Sequence, residues 1–246
     1  MTVALYWDFE NLHAGLCEEK EPGAYARGDF RFKPQEPLVD VQAVVELASS
    51  FGPIAVNRAY CNWQFYGRYR DALLQNAVEL IQLFPPGGAA KNGADIKLCL
   101  DAMEDVGRFG HIGTVIVVGG DSDFMPLAQK IKAAGRTLVG VGTRQATNRH
   151  WARSCHEFRY YDDVAQAHEP GADIPAELVR RALRLLAHQR GDAWVDAADI
   201  WRMVKRLDPT FQLAEHGHAT VGGMLEALES LVELRQGEGG QQVRLR

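Results

Sequence analysis

The sequence predicts an α/β fold, a doubly wound parallel sheet followed by a small winged-helix-like module, and three features carry that expectation. Short apolar runs alternate with stretches of helical periodicity through the first two thirds of the chain, the pattern of strands joined by crossover helices. Two of those runs, residues 3–7 and 115–118, end abruptly at Asp8 and at Gly119-Gly120-Asp121, as buried strands do where they leave a sheet. After a linker-like stretch at 167–175 the hydrophobic pattern restarts, with three helical segments and an alternating terminus. The 246 residues suit two domains, and 46% hydrophobic with 24% charged residues excludes a disordered chain. The net charge of −5 excludes a purely electrostatic nucleic-acid binder, so any such contact must come from local basic patches.

Taken in order, residues 3–7 form the first strand, and 18–37, rich in Pro, Gly and charge, form a long loop to which the sequence assigns no role. Helical spacing follows at 41–50, a weaker strand at 54–60, a helix at 66–76 and a strand at 78–84. The Pro85-Pro86-Gly87-Gly88 stretch separates these from a helix at 94–106. The strand 115–118 precedes a helix at 124–134, a strand at 137–141, a helix at 148–156 and a strand at 158–161. The expected domains are 1–166 and 176–246, joined by a linker at 167–175. The second holds helices at 178–188, 197–207 and 219–231 and a strand at 243–246.

The start of the chain lacks the basic segment, apolar segment and small-residue cleavage site of a leader, and no apolar run reaches the roughly 18 residues of a membrane span. A soluble, cytoplasmic protein with no membrane partner is expected. Cys17, Cys61, Cys99 and Cys155 are scattered with no Cys-x-x-Cys pair, so they read as buried thiols rather than a zinc site. Cys155 beside His156 reads as a small core residue next to a polar one.

The chemistry is expected at the strand exits. If the strands ending at Asp8 and before Asp121 and Asp123 are neighbours, their carboxylates share one crevice at the carboxyl edge of the sheet. Asp95 opens a helix, where a carboxylate is favoured by the helix dipole, and completes the cluster. Asp101 ranks below it, because six residues place it ~9 Å along and ~240° around the helix. Crowded carboxylates repel unless a cation neutralises them, and an all-oxygen donor set suits magnesium or manganese rather than zinc. Such ions serve phosphodiester hydrolysis. Each aspartate alone is equally an ordinary turn or cap residue, and Asp121-Ser122-Asp123 before Phe124 is a plausible helix cap. The joint placement is what points to a site.

Three segments then resemble the signatures of the NYN domain family, a branch of the PIN-like ribonucleases, with the LabA-like bacterial group the nearest. They are Tyr6-Trp7-Asp8-Phe9-Glu10-Asn11, Lys91-Asn92-Gly93-Ala94-Asp95-Ile96-Lys97-Leu98 and Val117-Val118-Gly119-Gly120-Asp121-Ser122-Asp123-Phe124. The resemblance spans about residues 1–164 and implies a PIN-like Rossmannoid three-layer fold and metal-dependent endonucleolytic cleavage of RNA. It implies Asp8, Asp95, Asp121 and Asp123 as catalytic and metal-holding residues, Asn11 as their polar support and Ser122 as part of the acidic turn. Gly119 stands where the family often has Ser. Trp194-Val195, residues 207–217 and residues 224–228 look like an OST-HTH/LOTUS domain, which implies a C-terminal module for RNA binding or for recruiting a protein partner.

Single-stranded RNA is the expected substrate, and it requires cations for phosphate and flat surfaces for bases. Trp63 and Arg68, in a segment mixing aromatics with arginines, are candidates, although Phe65 and Tyr69 at helical spacing equally suit a core. Lys91, Lys97, Arg144, Arg149 and Arg153 are candidate phosphate contacts, each equally plain surface charge. Two alternatives stand beside the ribonuclease: a non-catalytic RNA-binding adaptor, and a haloacid-dehalogenase-type phosphatase. The phosphatase chemistry requires a second Asp two residues after the nucleophile, where this chain has Glu10.

Overall fold

The computed structural model describes all residues except 26, 28, 29, 85–92, 167–173, 191–193 and 238–239. It divides into two compact units, Met1–Ala165 and Gln166–Arg246. In the first, strands β1 (Thr2–Asp8), β2 (Ile54–Cys61), β3 (Glu79–Gln82), β4 (Ile112–Val118), β5 (Thr137–Gly142) and β6 (Glu157–Tyr160) form one sheet in the order β3-β2-β1-β4-β5-β6. Every pairing is parallel, which requires crossover connections that place helices on the faces of the sheet. These helices are α1 (Phe9–Lys20), α2 (Val41–Phe51), α3 (Arg70–Gln75), α4 (Gly93–Arg108), α5 (Met125–Ala133) and α6 (Arg149–Ser154), and α7 (Tyr161–Gln166) follows β6.

β1 explains its own burial. All of Val3–Asp8 is buried, as expected of a central parallel strand covered on both faces. Alternation sends Ala4 and Tyr6 into a core with Leu98 and Ala102 of α4, Leu127 and Ile131 of α5 and Trp151 of α6. Val3, Leu5 and Trp7 alternate to the other layer, where α2 packs on β1 and α1 on β2. Two polar clamps join α4 to the sheet. Tyr6 donates to Asp105 (2.8 Å) beside Arg58 (2.5 Å), and Tyr60 donates to Asp101 (2.8 Å).

Several elements depart from the sequence expectation. The first crossover contains α1, which the sequence reading passed over because its buried side is Phe9, Leu12, His13, Gly15 and Cys17, with few strong hydrophobes to mark a period. His13 is held by polar contacts instead. Its Nε2–H donates to the Glu36 carbonyl (2.9 Å) and leaves Nδ1 to accept from the Cys17 thiol (3.4 Å), while burial lowers the imidazole pKa. The expected helix at 66–76 is two single turns of 3-10 helix, Trp63–Phe65 and Gly67–Tyr69, before the short α3. Here Tyr66 and Tyr69 turn inward onto Phe9 (ring centroids 5.7 and 4.8 Å).

The second unit contains α8 (Ile174–Arg190), β7 (Val195–Asp196), α9 (Ala197–Leu207), α10 (Val221–Ala227), β8 (Val232–Gly237) and β9 (Gly240–Leu245). The last helix is shorter than the expected 219–231, and the terminal strand is one arm of an antiparallel hairpin whose other arm, β8, the sequence did not reveal. β7 adds to β9, giving a three-stranded sheet in the order β7-β9-β8 over a core that includes Leu183, Ile200, Met224 and Val243. Among the described residues no helix is long and apolar enough to cross a membrane.

Candidate metal centre

From β1 the chain proceeds outward through β2 and β3, and from β4 it proceeds outward the other way, so β1 and β4 are neighbours at a reversal of strand order. In open parallel sheets ligands bind in the crevice beyond the carboxyl ends of such a pair. Asp8 is the last residue of β1 and caps α1, accepting the Asn11 N–H (3.2 Å). Asn11 in turn accepts the Gly120 N–H through Oδ1 (2.9 Å), tying the first turn of α1 to the exit of β4. Asp121 accepts the Asp123 N–H (3.1 Å) and the Ser122 hydroxyl (3.3 Å), and so caps the 3-10 turn Ser122–Phe124. Asp95 lies in the first turn of α4. Ligand oxygens of Asp95, Asp121 and Asp123 all lie within 4.8 Å of one another, and Asp8 is hydrogen-bonded to Asp95.

The electrostatics follow from this crowding. Asp8 is 3% exposed, and its pKa is held well above the usual carboxylate range, first by burial, then by the charge of Asp95 and the hydrogen bond to it. The Asp95 pKa is also raised, first by burial, with the charges of Asp121, Asp123 and Glu10 adding to it. The hydrogen bond between Asp8 and Asp95 acts on Asp95 in the opposite sense. Hard oxygen donors from two chain segments within one ion's reach fit a divalent cation.

The NYN domain family matches residues 2–162, about two thirds of the sequence. The chain belongs to the NYN domain family. The family is RNA-related and generally one of nucleases, which gives the acidic crevice a PIN-like, nuclease-type character. An uncharacterized protein of Methanocaldococcus jannaschii is 32% identical over 104 residues, which are 42% of this chain and 40% of that relative, so the match spans less than half of the relative's length. A crystal structure of a protein of unknown function from Vibrio parahaemolyticus superposes with a TM-score of 0.51 at 20% identity. It covers 66% of this chain and 94% of that one, a likeness of fold alone.

Around the acidic centre of the NYN domain, the expected RNA contacts separate by their partners. Lys97 bonds Asp101 (2.5 Å), which also accepts from Tyr60, so Asp101 is engaged away from the cluster. Arg68 is paired with Glu36. Arg144 is paired with Asp163 (2.6 Å) and lies over the Tyr160 ring (4.4 Å). Trp63 is half-buried against Phe9 (5.0 Å), and its Nε1–H donates to the Ile81 carbonyl (3.1 Å). Arg149 and Arg153 are exposed, and among the described residues neither forms an ion pair; Lys91 lies outside those residues.

Several neighbours of the NYN centre were not singled out from sequence. Glu10, in the first turn of α1, adds a further negative charge felt at Asp8 and Asp95 and accepts from Tyr25 (2.8 Å), which belongs to the long loop at 18–37. Cys99 lies one helical turn after Asp95. Burial and then the charges of Asp95, Asp123 and Asp8 push its thiol up to about 11. Cys61, at the end of β2, is raised by burial and by Glu10 and Asp8. Cys61 and Cys99 are therefore less remote from the site than the sequence scatter of the cysteines implied, and burial together with the carboxylate charges keeps them as thiols. The i to i+4 spacing of Asp95 and Cys99 was the available signal for the first of them.

Gly119 has a spatial reason to lack a side chain. A Cβ there would fall 2.9 Å from the Phe124 ring and 3.2 Å from the Asp8 Cβ, while its carbonyl accepts the Trp151 indole N–H (2.8 Å). Gly119→Ala is expected to cost about 1–3 kcal/mol by overpacking and to displace Asp8. Urea unfolding measures the cost, and a variant as stable as the parent would show that the crevice has room to spare.

Proposed function

We propose that the chain is a metal-dependent endoribonuclease that hydrolyses phosphodiester bonds of single-stranded RNA at this acidic crevice. The observation supporting the reading most is the meeting of Asp95, Asp121 and Asp123 within one ion's reach, beside a buried Asp8, at the reversal of strand order in an NYN domain. Asp8, Asp95, Asp121 and Asp123 would hold Mg2+ or Mn2+. When bound, such an ion supplies charge neutralisation and Lewis-acid polarisation of the phosphodiester and activates water. Asn11 fixes the spacing between the β1 and β4 exits through its bond to Gly120, and Ser122 orients Asp121. Among the cations, Lys97 lies nearest along the chain to Asp95, half a turn from it on α4.

The C-terminal unit is proposed as an OST-HTH/LOTUS-like module for binding RNA or a protein partner. Its three helices with a three-stranded antiparallel sheet are compatible with a winged-helix-like fold. The test is incubation of the purified full chain with end-labelled RNA and DNA of one sequence, in magnesium, manganese or chelator. Internal cleavage of RNA that requires the divalent ion is the expected result. RNA that is bound but stays intact in both metals would favour the adaptor instead. Phosphate release from small monoesters without RNA cutting would favour the phosphatase.

A further inference from the structure

Residues 124–156 contain no Asp or Glu, although the chain carries 32 acidic residues, and they contain six Lys and Arg: Lys130, Lys132, Arg136, Arg144, Arg149 and Arg153. In an acidic chain this is a local reversal of charge, and the fold places it against the acidic centre. α6 packs on α5 and on the turn that carries Asp123. Trp151 meets Phe124 (ring centroids 5.5 Å), and the Asn148 N–H donates to the Gly120 carbonyl (2.8 Å). Gly120 fits under this loop, since a Cβ on it would lie 3.0 Å from the backbone of Ala146 and Thr147. The start of α6 is thus fixed to the residue before Asp121.

From there the cations continue outward. Arg149 and Arg153 are four residues apart on one side of α6, opposite the buried Trp151, and both are exposed. α5 buries Leu127, Ala128 and Ile131, which leaves Lys130 and Lys132 exposed, and the Lys132 charge is felt at Cys155, just past the end of α6. Among the described residues, Arg144 alone of the six is held by carboxylates, Asp162 and Asp163 of α7. Among the described residues the other exposed cations of this face have no ion-pair partner.

We propose that the acid-free face of α5 and α6 is a track for the sugar-phosphate backbone of a single-stranded nucleic acid, leading from Arg153 and Lys132 past Arg149 to the acidic crevice. The inference extends the nuclease reading, because it supplies the surface that holds a polyanion beside a centre that would otherwise repel it. Backbone contacts of this type are indifferent to base and sugar and sensitive to salt.

The test is fluorescence anisotropy of the full chain with labelled oligouridylate and oligothymidylate, in chelator, across a series of salt concentrations. The Arg149→Ala/Arg153→Ala double variant is expected to flatten the log–log salt slope by about 1.4, at ~0.7 per phosphate contact, and hence to weaken binding ~25-fold at about 0.1 M salt. Equal losses are expected on both oligonucleotides, with a further loss in Lys130→Ala/Lys132→Ala. Arg108→Ala, at the far end of α4 from Asp95, is the control and keeps the parent slope. An unchanged slope in both double variants, or a loss on the ribose strand alone, overturns the track. Failure of cleavage with a flattened slope sinks only the nuclease reading, and cleavage with an unchanged slope sinks only the track.

Discussion

Asp8→Asn and Asp121→Asn each reduce divalent-dependent RNA cleavage at least about 100-fold, since disturbing even the groups behind a metal's ligands costs about 10–100-fold. The variants are suited to the question because asparagine preserves what these residues do for the fold. At position 8 an amide oxygen still accepts the Asn11 N–H and caps α1, and at position 121 it still accepts the Asp123 N–H. What is lost is one negative charge and one anionic oxygen donor at a centre whose other members are also carboxylates. Initial rates across a manganese titration, with heat transitions recorded on the same samples, separate a chemical loss from an unfolding loss. Folded variants that cut at the parent rate would remove Asp8 and Asp121 from the site.

In chelator at neutral pH, Asp8→Asn melts higher than the parent, and saturating manganese reverses the order. The sign follows from the raised pKa values. Asp8 and Asp95 bind protons more tightly folded than unfolded, so their contribution is fully present below the unfolded value of about 3.9 and is lost as pH rises through the raised folded values. Asparagine at position 8 cannot ionise, so the advantage of the variant grows from pH 4 to pH 7, at roughly 2–4 °C for each kcal/mol of repulsion removed. A divalent ion that binds only the folded parent restores the balance, by about 2.7 kcal/mol at a hundredfold excess over its dissociation constant. Calorimetry of both proteins at several pH values, with and without manganese, provides the comparison. A constant difference between them at every pH would mean that the carboxylates are not crowded enough to matter.

The strands and the two acid-bearing exits were legible because both signals are local. A buried parallel strand must be continuously apolar, and the first polar residue after it marks where the chain leaves the sheet, which is why Asp8 and Gly119-Gly120-Asp121 stand out. α1 was hidden for the complementary reason: His13 and Cys17 are buried in it by hydrogen bonds rather than by hydrophobic spacing. β8 was hidden because a hairpin arm with exposed Arg235 and Gln236 has little apolar alternation to show.

The charged residues divide differently. Their positions and the acid-free stretch at 124–156 can be read off the chain, but which cations are available cannot. Arg68 finds Glu36 and Arg144 finds Asp163 across gaps of 32 and 19 residues, while Arg149 and Arg153 find no carboxylate among the described residues. The same holds for Glu10, Tyr25 and Cys99, which converge on the centre through folding. Composition and periodicity depend on neighbours along the backbone and so survive in a string of letters. Ion pairing, raised carboxyl pKa values and a shared acidic pocket depend on distances of a few ångströms between segments far apart in the chain, and only the packed sheet with its helices sets those.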